Sequence, residues 1–261
     1  MFFVVFLYSQ NSYAQSSDVY ELKHDFLLDG ILTGTALTAT LLSESLLKAP
    51  LAAENCRWCE PPSFDVSVRD ALKWDDTDSP RTVSDYLVIS QALGSVGFLW
   101  LAGSHTQHPE YVYQDILLLS EAVLIGAMFT NSVKWIVGRQ RPHVRFGQSG
   151  LAERESNLSF FSGHSAFTSS IVAASATLAF MRGYDEAPWI LGVGTTIALT
   201  TAYMRVAGDA HYFSDVMTGL VIGTAFGVGI PLLFHSRKPN RAPADVSLSL
   251  GISTASIAFR F

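Results

Sequence analysis

The sequence predicts an all-α fold: a bundle of about six helices embedded in a membrane, followed by a short C-terminal strand. Three observations carry this. Of 261 residues, 49% are hydrophobic and only 15% are charged, and the mean hydropathy of +0.27 is high for a soluble domain. The apolar residues fall in long runs separated by short polar connections, the pattern of a helical bundle. The runs are also rich in Gly, Ala, Ser and Thr, which let helices approach closely with or without lipid. A formal net charge of -6 argues against a nucleic-acid partner.

Residues 1–9, MFFVVFLYS, form an apolar run too short to span a bilayer. Ser12-Tyr13-Ala14 follows with small residues spaced for a cut after Ala14, so residues 1–14 read as a secretory signal peptide, although no positive charge precedes the run. Residues 15–235 then form the helical domain and residues 236–261 a tail. The first long apolar segment, residues 26–53, is helical in pattern, but Asp29, Glu44 and Lys48 make it a poor lipid-facing span. Cys56 and Cys59 are the only cysteines, and in an exported chain a local disulfide is expected. No thioredoxin-like pattern surrounds them, and a zinc site would need two further ligands. Residues 64–76 form a short amphipathic segment and residues 75–80 a loop. Further helices are predicted over residues 84–103, 113–140, 164–182, 187–206 and 213–235. Residues 246–253, VSLSLGIS, alternate strictly and read as a strand.

Three stretches carry chemistry. In MRVAGDAHYFSD, residues 204–215, His211 and Asp215 stand four apart and on a helix would share a face. A carboxylate there holds an imidazole in one tautomer. Arg205 lies just upstream, with Gly208 allowing a turn between them, and its fork suits phosphate oxygens. The plainer alternative is a helix-end ion pair with a satisfied histidine. In KWIVGRQRP, residues 134–142, Lys134 and Arg141 are seven apart, which on a helix places them on one face about 10 Å apart along the axis. Pro142 discourages helix at Arg141 and frees its side chain to bend inward, whereas the plainer alternative is snorkelling cations at a helix end. Arg139 and His143 are expected in a second layer or on the surface. Ser162-Gly163 directly precedes a helix beginning near His164, and a helix start offers free N–H groups and partial positive charge to an anion; here the plainer alternative is a serine cap.

Taken in order, these stretches resemble the signature of the type-2 phosphatidic acid phosphatase superfamily, which also holds bacterial non-specific acid phosphatases and vanadium haloperoxidases. That signature is K-x6-R-P, then P-S-G-H, then S-R-x5-H-x3-D. Lys134, Arg141 and Pro142 match the first motif, Ser162, Gly163 and His164 the second, and Arg205, His211 and Asp215 the third. Phe161 stands where the family usually has proline, and Met204 where it usually has serine. The resemblance implies a phosphatase acting on a phosphomonoester or pyrophosphate, with a lipid phosphate or a small phosphoester as substrate. It implies His211 as nucleophile, Asp215 as its orienting group and His164 as acid and base. Lys134, Arg141, Arg205 and the Ser162-Gly163 amides would hold the phosphate. No metal and no other cofactor is implied. The competing functions are a soluble periplasmic acid phosphatase, a haloperoxidase holding vanadate through His211, and a non-catalytic membrane protein with a relic site.

Sidedness follows from counting crossings. A cut after Ala14 leaves the new N-terminus outside. If residues 26–53 then do not cross, residues 84–103 go in and 113–140 come out. Without a cut, six crossing segments give the same outer face. Either way the cysteines and the three motifs face the periplasm from the inner membrane of a bacterial envelope. A soluble periplasmic bundle is the alternative. Arg237, Lys238 and Arg241 favour an inside C-terminus, and Glu121 and Asn131 mark a face buried against protein rather than lipid.

Overall fold

The structure, a computed structural model, describes residues 19–147, 154–238, 247–251 and 254–258. The expected signal segment, residues 1–14, lies outside the described residues. Six long helices form the bundle: α1 (Phe26–Ser45), α4 (Asp78–Ser104), α5 (Tyr111–Val137), α7 (Gly163–Arg182), α8 (Ala187–Ala207) and α9 (Phe213–Phe234). Three short helices sit in the connections: α2 (Lys48–Leu51), α3 (Ser63–Leu72) and α6 (Pro142–Arg145). Beyond the bundle, β1 (Ser247–Gly251) pairs antiparallel with β2 (Thr254–Ala258). The alternating tail expected as one strand is thus the first arm of a hairpin, with residues 246, 252 and 253 outside the described residues.

Helix α7 is the axis of the bundle. It packs on α4, α5, α8 and α9, most extensively on α9. Its sequence, GHSAFTSSIVAASATLAFMR, has small side chains on every face, so neighbours can surround it. Closest approach is to α9: a Cβ on Gly223 would overlap the Ala166 carbonyl oxygen of α7. Around this axis the long helices alternate in direction. The ends of α1, α5 and α8 and the starts of α4, α7 and α9 therefore gather at one end. At the other end, the segments flanking the bundle meet: Lys23 N–H donates to the Ser236 carbonyl and Lys238 N–H to that of Glu21. Five of the long helices, all except α7, are long and apolar enough to cross a membrane. Their outer faces expose Leu27, Ile31, Ile89, Leu93, Trp189, Val221 and Leu233, a surface suited to lipid rather than water.

Several boundaries differ from expectation. Residues 26–53 break after Ser45 into α1 and α2. Helix α4 starts at Asp78, so half of the expected 75–80 loop is helical. The important difference is at α5, expected to run to residue 140. It stops at Val137 because Gly138 adopts a left-handed conformation (φ 57°, ψ 41°), which glycine accepts without strain. Arg141 is therefore not on the helix face of Lys134. It lies in extended backbone (φ -72°, ψ 149°) before Pro142, as the residue preceding proline should.

Candidate active site

A cavity of about 370 Å³ opens among α1, α4, α5, α7, α8 and α9 at the end where those helix termini gather. Lys134, Arg141, Gly163, His164, Arg205 and His211 all line it. The three motifs, spread over 82 residues of chain, are brought together here. Ser162 and Asp215 do not line it.

His211 sits in the turn between α8 and α9, before α9 begins, so it does not share a helix face with Asp215 as expected. Its Nδ1 faces the Ser159 carbonyl at 2.8 Å; Asp215 Oδ2 is farther, at 3.6 Å. A carbonyl only accepts, so Nδ1 carries the proton and the Nε2 lone pair is free. Burial, reinforced by the charges of Arg141, Arg205 and Lys134, holds the His211 imidazole well below its usual pKa. Both effects favour the neutral ring.

Asp215 acts one layer behind. It accepts from Ser159 Oγ at 2.6 Å, from Tyr212 N–H at 3.0 Å and from Arg139 Nη1 at 2.5 Å. It thereby fixes the Ser159 backbone that in turn fixes His211. Arg139, expected in a second layer or on the surface, takes the second layer and is the buried centre of this support. It is 1% exposed, donates to Asp65 Oδ2 at 2.7 Å and Ser214 Oγ at 2.8 Å, and stacks between the rings of Trp58 and Tyr212. The short helix α3 is a buttress: Asp65 reaches Arg139, and Arg69 grips Asp209 with two bonds of 2.5 and 2.7 Å. Asp209 holds positive φ (54°) in the turn leading to His211. His143 Nδ1 meets the Asp209 carbonyl at 3.0 Å.

Cys56 and Cys59 are joined, with Cα atoms 5.4 Å apart. Their loop holds the Arg139 segment: Arg57 N–H donates to the Gly138 carbonyl at 2.9 Å, and Gln140 N–H to that of Trp58 at 3.1 Å.

The cations are poorly neutralised. Among the described residues, neither Lys134 nor Arg141 forms an ion pair with a carboxylate; Arg141 Nη1 donates only to the Ala210 carbonyl, at 3.3 Å. Arg205 bonds Ser84 Oγ at 3.0 Å and has Asp85 no nearer than 3.7 Å, and its buried Nε has no partner. A cluster of this kind awaits an anion. Gly163 leaves room for Lys134: a Cβ there would stand 3.0 Å from Lys134 Nζ, a tight contact. Ser162 departs from expectation. Its hydroxyl caps α7, accepting from Ser165 N–H, and its own N–H is already given to the Asp215 carbonyl at 3.0 Å. Only the amides that follow it remain for an anion. His164 Nε2 lies 2.7 Å from Asp85 Oδ1, a partner that no motif marked.

The sequence pattern of the PAP2 superfamily matches residues 115–239, a span that contains all three motifs. Over 114 residues the chain is 32% identical to a lipid A 1-phosphatase of Porphyromonas gingivalis, covering 42% of this chain and 22% of that protein. Over 105 residues it is 34% identical to an uncharacterized 22.5 kDa protein in the cps region of Klebsiella pneumoniae, covering 39% of this chain and 48% of that protein. The chain thus spans less than half the length of these curated relatives. The crystal structure of a transmembrane PAP2-type phosphatidylglycerolphosphate phosphatase from Bacillus subtilis aligns with a TM-score of 0.40 at 17% identity, over 78% of this chain and 91% of that one.

Proposed function

We propose, for a chain whose residues 115–239 belong to the PAP2 superfamily, that it is a membrane-embedded phosphatase that removes phosphate from a lipid through a phosphohistidine intermediate. The observation that carries this is the mixed lining of one cavity. Lys134, Arg141, Arg205, His164 and His211 line it together with the apolar Val88, Val123, Ala127, Ala166 and Phe167. A charged phosphate with an attached apolar chain suits such a lining.

His211 Nε2 attacks phosphorus, and the P–O bond to the leaving group breaks. The leaving oxygen takes a proton from His164, which Asp85 positions. His164 then removes a proton from water, whose oxygen attacks the phosphorus and breaks the P–N bond, releasing phosphate and restoring His211. Lys134, Arg141, Arg205 and the first amides of α7 bear the charge on the equatorial oxygens. The site end of the bundle faces the periplasm, in keeping with a disulfide in the same region. Because six long helices alternate in direction, residues 19–25 and 235–238 then share the cytoplasmic side, the arrangement without a cut after Ala14.

The test uses the purified chain in detergent, with a panel of phosphatidic acid, phosphatidylglycerol phosphate, a polyprenyl pyrophosphate and a water-soluble phosphomonoester. Lipid phosphates should be hydrolysed faster than the soluble ester. An acid-labile phosphate should be trapped on His211 by a denaturing quench, and His211→Ala should have no turnover. Normal turnover in that variant, or a preference for the soluble ester, refutes the reading. Cysteines placed near Arg141 and near Lys238 should differ in labelling by an impermeant thiol reagent when only the outer membrane is permeable, with the Arg141 region labelled.

A further inference from the structure

Three buried ionisable side chains lie away from the cationic residues of the cavity and take no part in the chemistry proposed there. Asp29 is in the first turn of α1, Glu121 in the third turn of α5, and His235 caps the end of α9. They are 5%, 3% and 3% exposed, and one ligand atom from each lies within 4.8 Å of the others. Glu121 precedes Lys134 by 13 residues on one helix, which places it about 20 Å away at 1.5 Å per residue. His235 is farther still from the catalytic turn, at the opposite end of α9.

Two observations separate this cluster from a simple ion pair. First, His235 Nδ1 meets the Lys23 carbonyl at 3.1 Å, so the proton sits there and the Nε2 lone pair points inward. That is the arrangement of a metal-bound imidazole, with its other nitrogen held by a carbonyl. Asp29 has a comparable outer contact, accepting from Asp25 N–H at 2.9 Å. Second, His235 Nε2 and Glu121 Oε2 are both buried without a hydrogen bond, although they face each other at 3.5 Å. A charge-assisted N–H···O bond closes to about 2.8 Å. Two ligands on one tetrahedral zinc ion, at bonds of about 2.0–2.2 Å, lie about 3.4 Å apart. The gap matches ligands around an ion better than a pair in contact.

Charge points the same way. Two carboxylates face one imidazole, and among the described residues no lysine or arginine forms an ion pair with Asp29 or Glu121. Uncompensated negative charge buried among membrane helices is costly, and a divalent cation removes the imbalance.

We propose that Asp29, Glu121 and His235 form a divalent-cation site, with Zn²⁺ the ion suited to one nitrogen and two carboxylate ligands and a fourth position left to water. The ion is structural. It ties α1, α5 and α9 together at the end of the bundle opposite Lys134, His164 and His211.

The test is metal retention by the full chain, purified in detergent, stripped with a chelator, reloaded with Zn²⁺ and desalted. Elemental analysis should find one retained ion per wild-type chain, and the loaded protein should melt at a higher temperature than the stripped one. Glu121→Gln and His235→Gln should each lose the retained ion and the Zn²⁺-dependent rise in melting temperature, while keeping the phosphatase activity of stripped wild type. Should His235→Gln fail to fold, Asp29→Asn supplies the second variant. A wild-type chain that retains no ion, or variants that retain as many ions as wild type, overturns the assignment.

Discussion

Arg139 offers the sharpest test of how the site is held. Replacing it with methionine keeps bulk and apolar contact but removes the cation that bridges Asp65 and Asp215, both buried. Deleting one partner of a buried, hydrogen-bonded pair costs about 3–5 kcal/mol, because the remaining charge is left in a low dielectric. For a chain of this size that is roughly 6–20 °C in melting temperature. Activity should fall further than stability predicts, since Asp215 holds the Ser159 backbone that orients His211, and a displacement of about 1 Å there costs about 100-fold in rate. Arg139→Lys should fall between, because one ammonium cannot span both carboxylates. The assay is thermal unfolding in detergent followed by tryptophan fluorescence, with turnover measured well below the midpoint. Asp65→Asn should then be less costly in the Arg139→Met background than alone, since it removes an unpaired charge. A melting-temperature loss under about 2 °C for Arg139→Met, or strictly additive effects in the double variant, would show that the network does not carry the site.

Other outcomes follow from the same geometry. Because burial and neighbouring cations depress the His211 pKa, the neutral nucleophile persists below the usual histidine range. The acid limb of kcat/KM should therefore lie well below pH 6.5, activity falling only as pH drops through the depressed value. Arg141→Gln should move that limb upward, and a limb at or above pH 6.5 in wild type would contradict the assignment. Gly163→Ala should press lightly on Lys134 Nζ and lower kcat less than Lys134→Ala does, with little change in melting temperature; Lys134→Ala should lower kcat about tenfold or more, and an unaltered kcat in that variant would place Lys134 outside the reaction. Reducing the Cys56–Cys59 bond should cost about 2 kcal/mol, as expected for so short a loop, and should lower activity as well, since that loop pins Gly138 and Gln140. Thermal melts and rates with and without reductant check both.

What could be read in the sequence divides along physical lines. Five of the six long helices were legible as continuous apolar runs and α7 as a run of small and apolar residues, and the lining residues Lys134, Arg141, His164, Arg205 and His211 because phosphate chemistry demands particular side chains at particular spacings. The supporting layer was not. Ser159 orients His211 through a backbone carbonyl, which leaves no mark on residue identity. Asp65, Arg69 and Asp85 pair with residues 74, 140 and 79 positions away, and local periodicity cannot report such partners. The end of α5 was misplaced because Gly138 is one of 19 glycines, several of them inside helices, and only its left-handed backbone shows that it stops the helix. The i, i+4 spacing of His211 and Asp215 implied a shared helix face, whereas α9 begins between them and the carboxylate works through Ser159.

Helix α7 has a consequence for how the protein is made. Among the described long helices it is the one that fails as an independent apolar span, because it carries several hydroxyl side chains: those of Thr168, Ser169 and Ser175 bond carbonyls and that of Ser165 bonds Ser162 Oγ inside the bundle. A count of greasy segments gives five, an odd number, and would assign the two flanks of the bundle to opposite faces of the bilayer. The folded chain has six, and its flanks meet. A segment so dependent on company is a poor substrate for one-at-a-time insertion; α7 gains its place when α8 and α9 arrive to enclose it. Chains truncated after residue 182 should leave α7 incompletely inserted, and a reporter fused there should give a mixed orientation that resolves to one when the fusion point moves beyond residue 234.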